Sequence, residues 1–348
     1  MGSGDNILHI DIHETQPWPS ELSWLNSYTG TLYAAASLMV AQRLLLRTFR
    51  LGTPLGLDDA LIFAAWIGAT GFFVEATLAM NSLDYGVPVQ PSKNEFVTFM
   101  LWLIEITFTF SQCCLKLAVL AILNRFVKAT SDTRIRYAIY AAGTFTAFSL
   151  PTLCATSFGA CRPSFTAYWR AMNASYAANH DVRCINKFAL AIVSGVVVIF
   201  QDLYTIAIPW AITRSFGLNK RQTLALNLVF MLGLIVTAAS CVRTYHHTSV
   251  YRGDRVSHNL VYTIIWATVE VQVAIICACL PSLRTFLGTR ITHDLELGTI
   301  HAPRSRNIHD SRHNSNWSRK VLPSRQIWRT VLSRRPPERC EECISRIE

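Results

Sequence analysis

Seven apolar runs dominate this chain, at about 28–47, 58–80, 97–123, 137–159, 187–212, 222–243 and 259–283. Each is near or above the ~20 residues that a helix needs to cross a ~30 Å hydrocarbon layer. Lipid offers no water to a stray backbone N–H or C=O, so a chain written this way is expected to cross as helices. The expected fold class is therefore all-α: a seven-transmembrane-helix bundle over 28–283, after an extracellular segment 1–27 and before a disordered basic C-terminal tail, 284–348, in the cytosol. Composition agrees, with 51% hydrophobic and 16% charged residues, against about a quarter charged in soluble domains. Of the 32 Lys and Arg, 13 fall in 284–348 beside only 7 acidic residues. A basic tail next to apolar segments points to anionic lipid headgroups as partners. No zinc-finger spacing or aromatic–basic motif supports nucleic acid. The first residues carry neither a basic nor an apolar leader region, so no cleavable signal peptide is expected.

Loop charges set an orientation. The first loop and its flank hold Arg47 and Arg50, the third Arg125, Lys128, Arg134 and Arg136, and the fifth Arg214, Lys220 and Arg221. The N-terminal segment holds none and the second loop only Lys93, while loops four and six carry Arg162, Arg170 and Arg183, and Arg252 and Arg255, over longer stretches. Positive-inside reasoning then places loops one, three and five with the tail in the cytosol. Arg43 and Arg47 are expected to snorkel to that inner surface. Loop four, assigned outside, contains Cys161 and Cys184 and the sequon Asn173-Ala174-Ser175. A disulfide and a glycan at Asn173 both belong to the lumenal or extracellular side. Charge, cysteine and sequon therefore agree on an extracellular or lumenal N-terminus; plasma membrane and endomembrane are not distinguished.

Polar residues inside the runs are the candidate site. Glu105, Thr109, Gln112 and Lys116 recur at i, i+4, i+7 and i+11, one face of a helix, which must look toward other helices or water. Counting ~1.5 Å per residue puts Glu105 ~12 Å below the outer boundary and Lys116 close enough to the inner surface to snorkel. In "WATVEVQVAIICACLP" (266–281) Glu270 stands alone among apolar residues, ~17 Å from the outer end of its span. Trp266 shares its face. Asp202 lies in the fifth span. An acid at a helix centre costs about 3 kcal/mol on insertion scales, so the expected pocket gathers Glu105, Thr109, Gln112, Asp202, Trp266 and Glu270. The alternative is that each acid only fixes helix packing. Asp58 and Asp59 read as first-turn residues at a helix N-terminus, and Glu75 as structural. No metal or cofactor site is expected: Cys340 and Cys343 lack a second ligand pair for zinc.

Several stretches together resemble the fungal rhodopsin-domain integral membrane proteins. They are the basic stretch before "LDDALIF", "LKLAVLAILNRF", "FGACRP" with Trp169 and Cys184 after it, "QDLYTIAIPW", and "ATVEVQVAIICACLPSLRTF". The resemblance covers about 30–290 and implies seven helices and a receptor-like protein, some members being encoded in secondary-metabolite gene clusters. Two departures stand out: the Gly-rich stretch after the second span is only "YGVP", and residues 1–27 hold no cysteine, so the cysteine-rich extracellular domain of some members is not expected there. The name does not imply photochemistry, because a retinal Schiff base needs a mid-membrane lysine and the seventh span has none.

Three function classes follow. The leading one is a receptor-like sensor that binds a small lipophilic molecule near Glu105 and Glu270, accessory to a secondary-metabolite pathway. A second is a membrane-embedded enzyme, a cyclase or isomerase that uses a buried acid to protonate a terpenoid or polyketide. The third, a proton-coupled transporter, is weakened by the absence of an inverted repeat.

Overall fold

In the computed structural model the described residues are 23–50, 56–82, 91–128, 133–171, 174–215 and 220–300. The chain divides into two units, Met1–Glu296 and Leu297–Glu348, and the architecture below belongs to the first.

Helices account for nearly all of it. In chain order they are α1 (Ser23–Leu45, continued by a π turn Leu46–Arg50), α2 (Leu57–Ser82), α3 (Pro91–Lys128), α4 (Thr133–Phe158), α5 (Ala167–Arg170), α6 (Ala174–Asn179), α7 (Lys187–Ser215), α8 (Lys220–Arg252) and α9 (Val256–Ile300). Two-residue strands β1 (Cys161–Arg162) and β2 (Arg183–Cys184) pair antiparallel between α4 and α7. Five segments are long and apolar enough to cross a membrane: Leu57–Ser82, Glu95–Arg125, Thr133–Phe158, Lys187–Ile212 and His258–Leu280. The remaining long helices, α1 and α8, coincide with the first and sixth apolar runs without meeting that measure over their described residues. The last helix does not stop at 283 but continues to Ile300. Of the predicted tail, 301–348 lies outside the described residues.

Burial is inverted relative to a water-soluble protein. Glu270 is 0% exposed while Tyr137 and Phe148 are 75% and 73% exposed, so ionic groups sit inside and large apolar ones outside. That pattern suits lipid. The main core joins α2, α3 and α9 through Ile62, Phe72, Phe108, Leu115, Val271 and Ile275. Another links α3 to α4 and α7 through Leu120, Leu123, Ile139, Ile208 and Ile212. Small residues let these helices approach, because apolar surface alone gives no net drive to associate in lipid. A Cβ added at Gly68 would lie 2.9 Å from the Phe110 ring and 3.2 Å from Ser111 Cβ. At Gly195 it would collide with Thr244 of α8.

The β1–β2 hairpin pairs Cys161 with Cys184 in register and joins them by a disulfide. Between the strands, Trp169 packs at 4.9 Å from Phe99 and 5.3 Å from Trp102 of α3. The Trp102 indole N–H donates to Ser157 O of α4 at 3.2 Å. This loop is thus clamped onto one end of the bundle, here termed the hairpin end. The opposite end carries Arg43, Asp58 and Arg125 and is termed the basic end.

Candidate functional site

A cavity of about 100 Å³ opens at the hairpin end between α2, α3, α8 and α9, with the hairpin loop and the start of α7 at its edge. Its walls are mostly apolar, with Phe72, Leu101, Ile104, Phe108, Leu260 and Ile264 among them. Its polar groups are Thr98 and Glu105 from α3, Tyr168 from α5, Lys187 from α7, Arg243, His247 and Tyr251 from α8, and Thr263 from α9. Few polar groups on an apolar wall is the usual build of a small-molecule site. The Lys187 ammonium lies 3.9 Å from the Tyr168 ring centre, and the Arg243 guanidinium 4.5 Å from that of Phe108. Cations favour such aromatic faces. Burial, and then the nearby Glu105 charge, push the Tyr168 phenol above its ordinary range, keeping it a neutral hydrogen-bond donor. A side pocket of about 10 Å³ touches Glu105, Lys187, Tyr168 and Tyr251, room for about one water.

Glu270 does not line this cavity. One carboxylate oxygen accepts from Gln112 Nε2 at 2.9 Å and the other from Arg243 Nε at 2.8 Å. Arg243 therefore stands between Glu270 and the open space, a correction to the expectation of a chamber shared by Glu270 and Glu105. Helix spacing within α9 could not show it, because the partners come from α3 and α8.

Asp202 is separate again. It ion-pairs with Lys116 at 3.0 Å and accepts from Ser240 Oγ at 2.6 Å. Lys116 also donates to Gln201 Oε1 at 3.2 Å and Val198 O at 3.3 Å. It is buried, not snorkelling at the inner surface, since Asp202 on α7 supplies the counter-charge that water would otherwise give. A second cavity, about 70 Å³, is lined by Gln112, Lys116, Asp202 and Thr205 with a mostly apolar remainder. Thr109 returns its hydroxyl to Glu105 O at 2.7 Å on its own helix, and neither it nor half-buried Trp266 lines either cavity.

The basic end holds a denser ionic cluster. Asp58 pairs with Arg43 at 2.9 Å and with Arg47 and Arg125 at 3.0 Å. Asp59 pairs with Arg43 at 3.0 Å and with Arg47, and also accepts from Gly56 N at 3.2 Å. The last free arm of Arg43 donates to Ala278 O of α9 at 2.9 Å. Arg43 is 1% exposed, so it too does not snorkel; two carboxylates at the start of α2 hold it inside. Those first-turn acids are thus ion-pair partners as well as N-terminal residues. Glu75 accepts from Thr107 Oγ1 of α3 at 2.7 Å.

The residues that sequence reading missed are the cations, Arg243 above all. It lies at the edge of the sixth apolar run, where a charge looks like a boundary. Lys187, Tyr168, His247 and Tyr251 lie in loops or helix ends with no spacing signal. Asn173 lies outside the described residues. Among the described residues no three His, Cys, Asp or Glu side chains converge to hold a metal ion.

Comparison with known proteins supplies one match. The model of the fungal rhodopsin domain matches residues 42–289, which include α2 to α8, most of α9, and all the residues of both cavities. No curated protein and no solved structure matches the chain. A match over most of the chain, on an apolar helical bundle with its charges turned inward, makes this a multi-pass membrane protein and a member of the fungal rhodopsin domain family.

Proposed function

We propose that the protein is a receptor-like sensor with seven spans, α1 to α4 and α7 to α9, its hairpin end outside the cytosol and its basic tail within. The hairpin-end cavity binds a small molecule, and Arg243 carries the signal inward. One observation supports this most directly: Arg243 lines the cavity while its Nε holds Glu270, which in turn holds Gln112 of α3. A ligand that draws the guanidinium toward itself competes with Glu270 and so biases the packing of α3 against α9, the differential contact that a two-state receptor needs. Loop charges support the orientation, and the family resemblance supports an accessory role in a secondary-metabolite pathway. Binding is favoured over acid catalysis because both oxygens of Glu270 are already engaged, leaving it no proton to deliver to a substrate.

The test compares a deletion strain with strains carrying wild type, Glu105→Gln or Glu270→Gln. A sensor gives an altered transcript pattern with no single unconverted precursor. Accumulation of one precursor in the Glu270→Gln strain would replace this reading with the enzyme. Protease protection of the tail tests the orientation, and a lumenal tail reverses it.

A further inference from the structure

Polar groups around the hairpin-end cavity have unequal claims on one another. Arg243 is already neutralised by Glu270 through Nε, yet its Nη2 is buried with no hydrogen-bond partner. A guanidinium only donates, so the missing partner is an acceptor. Lys187 rests on the Tyr168 ring, which offers a π face but no lone pair. Glu105 forms no ion pair with any described residue, although it feels the charges of Lys187 and Arg243. With Arg243 and Glu270 cancelling, one carboxylate and one ammonium remain, on different helices and not in contact.

We propose that the ligand is a small zwitterion of the α-amino-acid type, an inference that rests on the cavity being the ligand site. Its carboxylate lies between Lys187 and Arg243 Nη2, its ammonium meets Glu105, and its short side chain meets the apolar wall. Electroneutrality selects this class. A simple carboxylate would bring a second anion beside Glu105, and a simple amine a third cation beside Lys187 and Arg243. An uncharged hydrocarbon would leave both free ions without a counter-charge in a low dielectric. Size narrows it further. The cavity, about 100 Å³, is smaller than the ~150 Å³ that holds a benzene ring, so it suits a head of about five or six heavy atoms, as in glycine or alanine.

Calorimetric titration of the full-length protein in lipid nanodiscs tests this with glycine, alanine and valine against propionate, ethylamine and propan-1-ol. At least one amino acid is expected to bind about tenfold or more tighter than every single-charge or neutral analogue, the effect of one lost charge-assisted hydrogen bond. Lys187→Met and Glu105→Gln are each expected to weaken it about ten- to hundredfold. Because the probes are compared on the wild-type protein, a misfolded variant does not blunt the test. If propionate, ethylamine or propanol binds as tightly as the amino acids, the zwitterion is overturned while the cavity remains a ligand site. If no probe binds, the zwitterion is likewise overturned, and the sensor reading then stands or falls on the transcript response of the Glu105→Gln strain.

Discussion

The two ends of this bundle treat charge in opposite ways. At the basic end two carboxylates meet three guanidiniums, and Arg43 spends every arm, the last on a carbonyl of α9. At the hairpin end Glu105 and Lys187 face a cavity without ion-pairing to each other, and Arg243 keeps a nitrogen unmatched. Saturated charge fixes helices in place; unsaturated charge next to a void leaves chemistry for something else to complete. On the proposed function, the contrast separates architecture at one end from recognition at the other.

Four substitutions test that division, in descending order of expected effect. Asp59→Ala removes one acid from the basic-end cluster and leaves Asp58 alone to face Arg43, Arg47 and Arg125, and breaking a buried pair from one side costs about 3–5 kcal/mol. Loss of monodisperse protein, or a steep fall in unfolding temperature, is the expected result. A wild-type-like melting curve would break the comparison at its stronger end. Cys161→Ser opens a loop with a sequence separation of 23 and is expected to cost about 2–4 kcal/mol. Its melting temperature should match that of reduced wild type. Glu270→Gln keeps the shape but weakens the bond to Arg243, an expected loss of about 1.5–3 kcal/mol measurable by chemical denaturation. Glu105→Gln is the sharpest, since neutralising a carboxylate that lines the cavity with no direct ion-pair partner should leave stability unchanged or raise it, never lower it. A loss as large as that of Glu270→Gln would show Glu105 to be another packing acid.

How much of this was legible in the sequence depends on how local the signal is. Helices at all seven apolar runs could be read because hydrophobic length is a property of consecutive residues. The stripe of Glu105, Gln112 and Lys116 was also legible as a polar face, and all three do turn inward. What each one meets was not legible. The Gln112–Glu270 contact spans 158 positions and the Arg43–Ala278 contact 235, and no periodicity reports such distances. Lys116 was misread for the same reason: taken with its own helix it can only reach for the surface, whereas α7 supplies Asp202. Trp266 shares a helical face with Glu270, and neither of them lines a cavity.

Arg43 has a mechanical consequence. By gripping the Ala278 carbonyl it ties α1 to α9 at a point from which α9 runs on to Glu296. That overhang is about 27 Å long at 1.5 Å per residue. A tilt of about 10° about this fulcrum swings the overhang's tip sideways by about 5 Å, on the rise and length used above. On the proposed function, a small rearrangement beside Glu270, two turns away along the same rod, would be geared up into a stroke of about 5 Å at the overhang's tip.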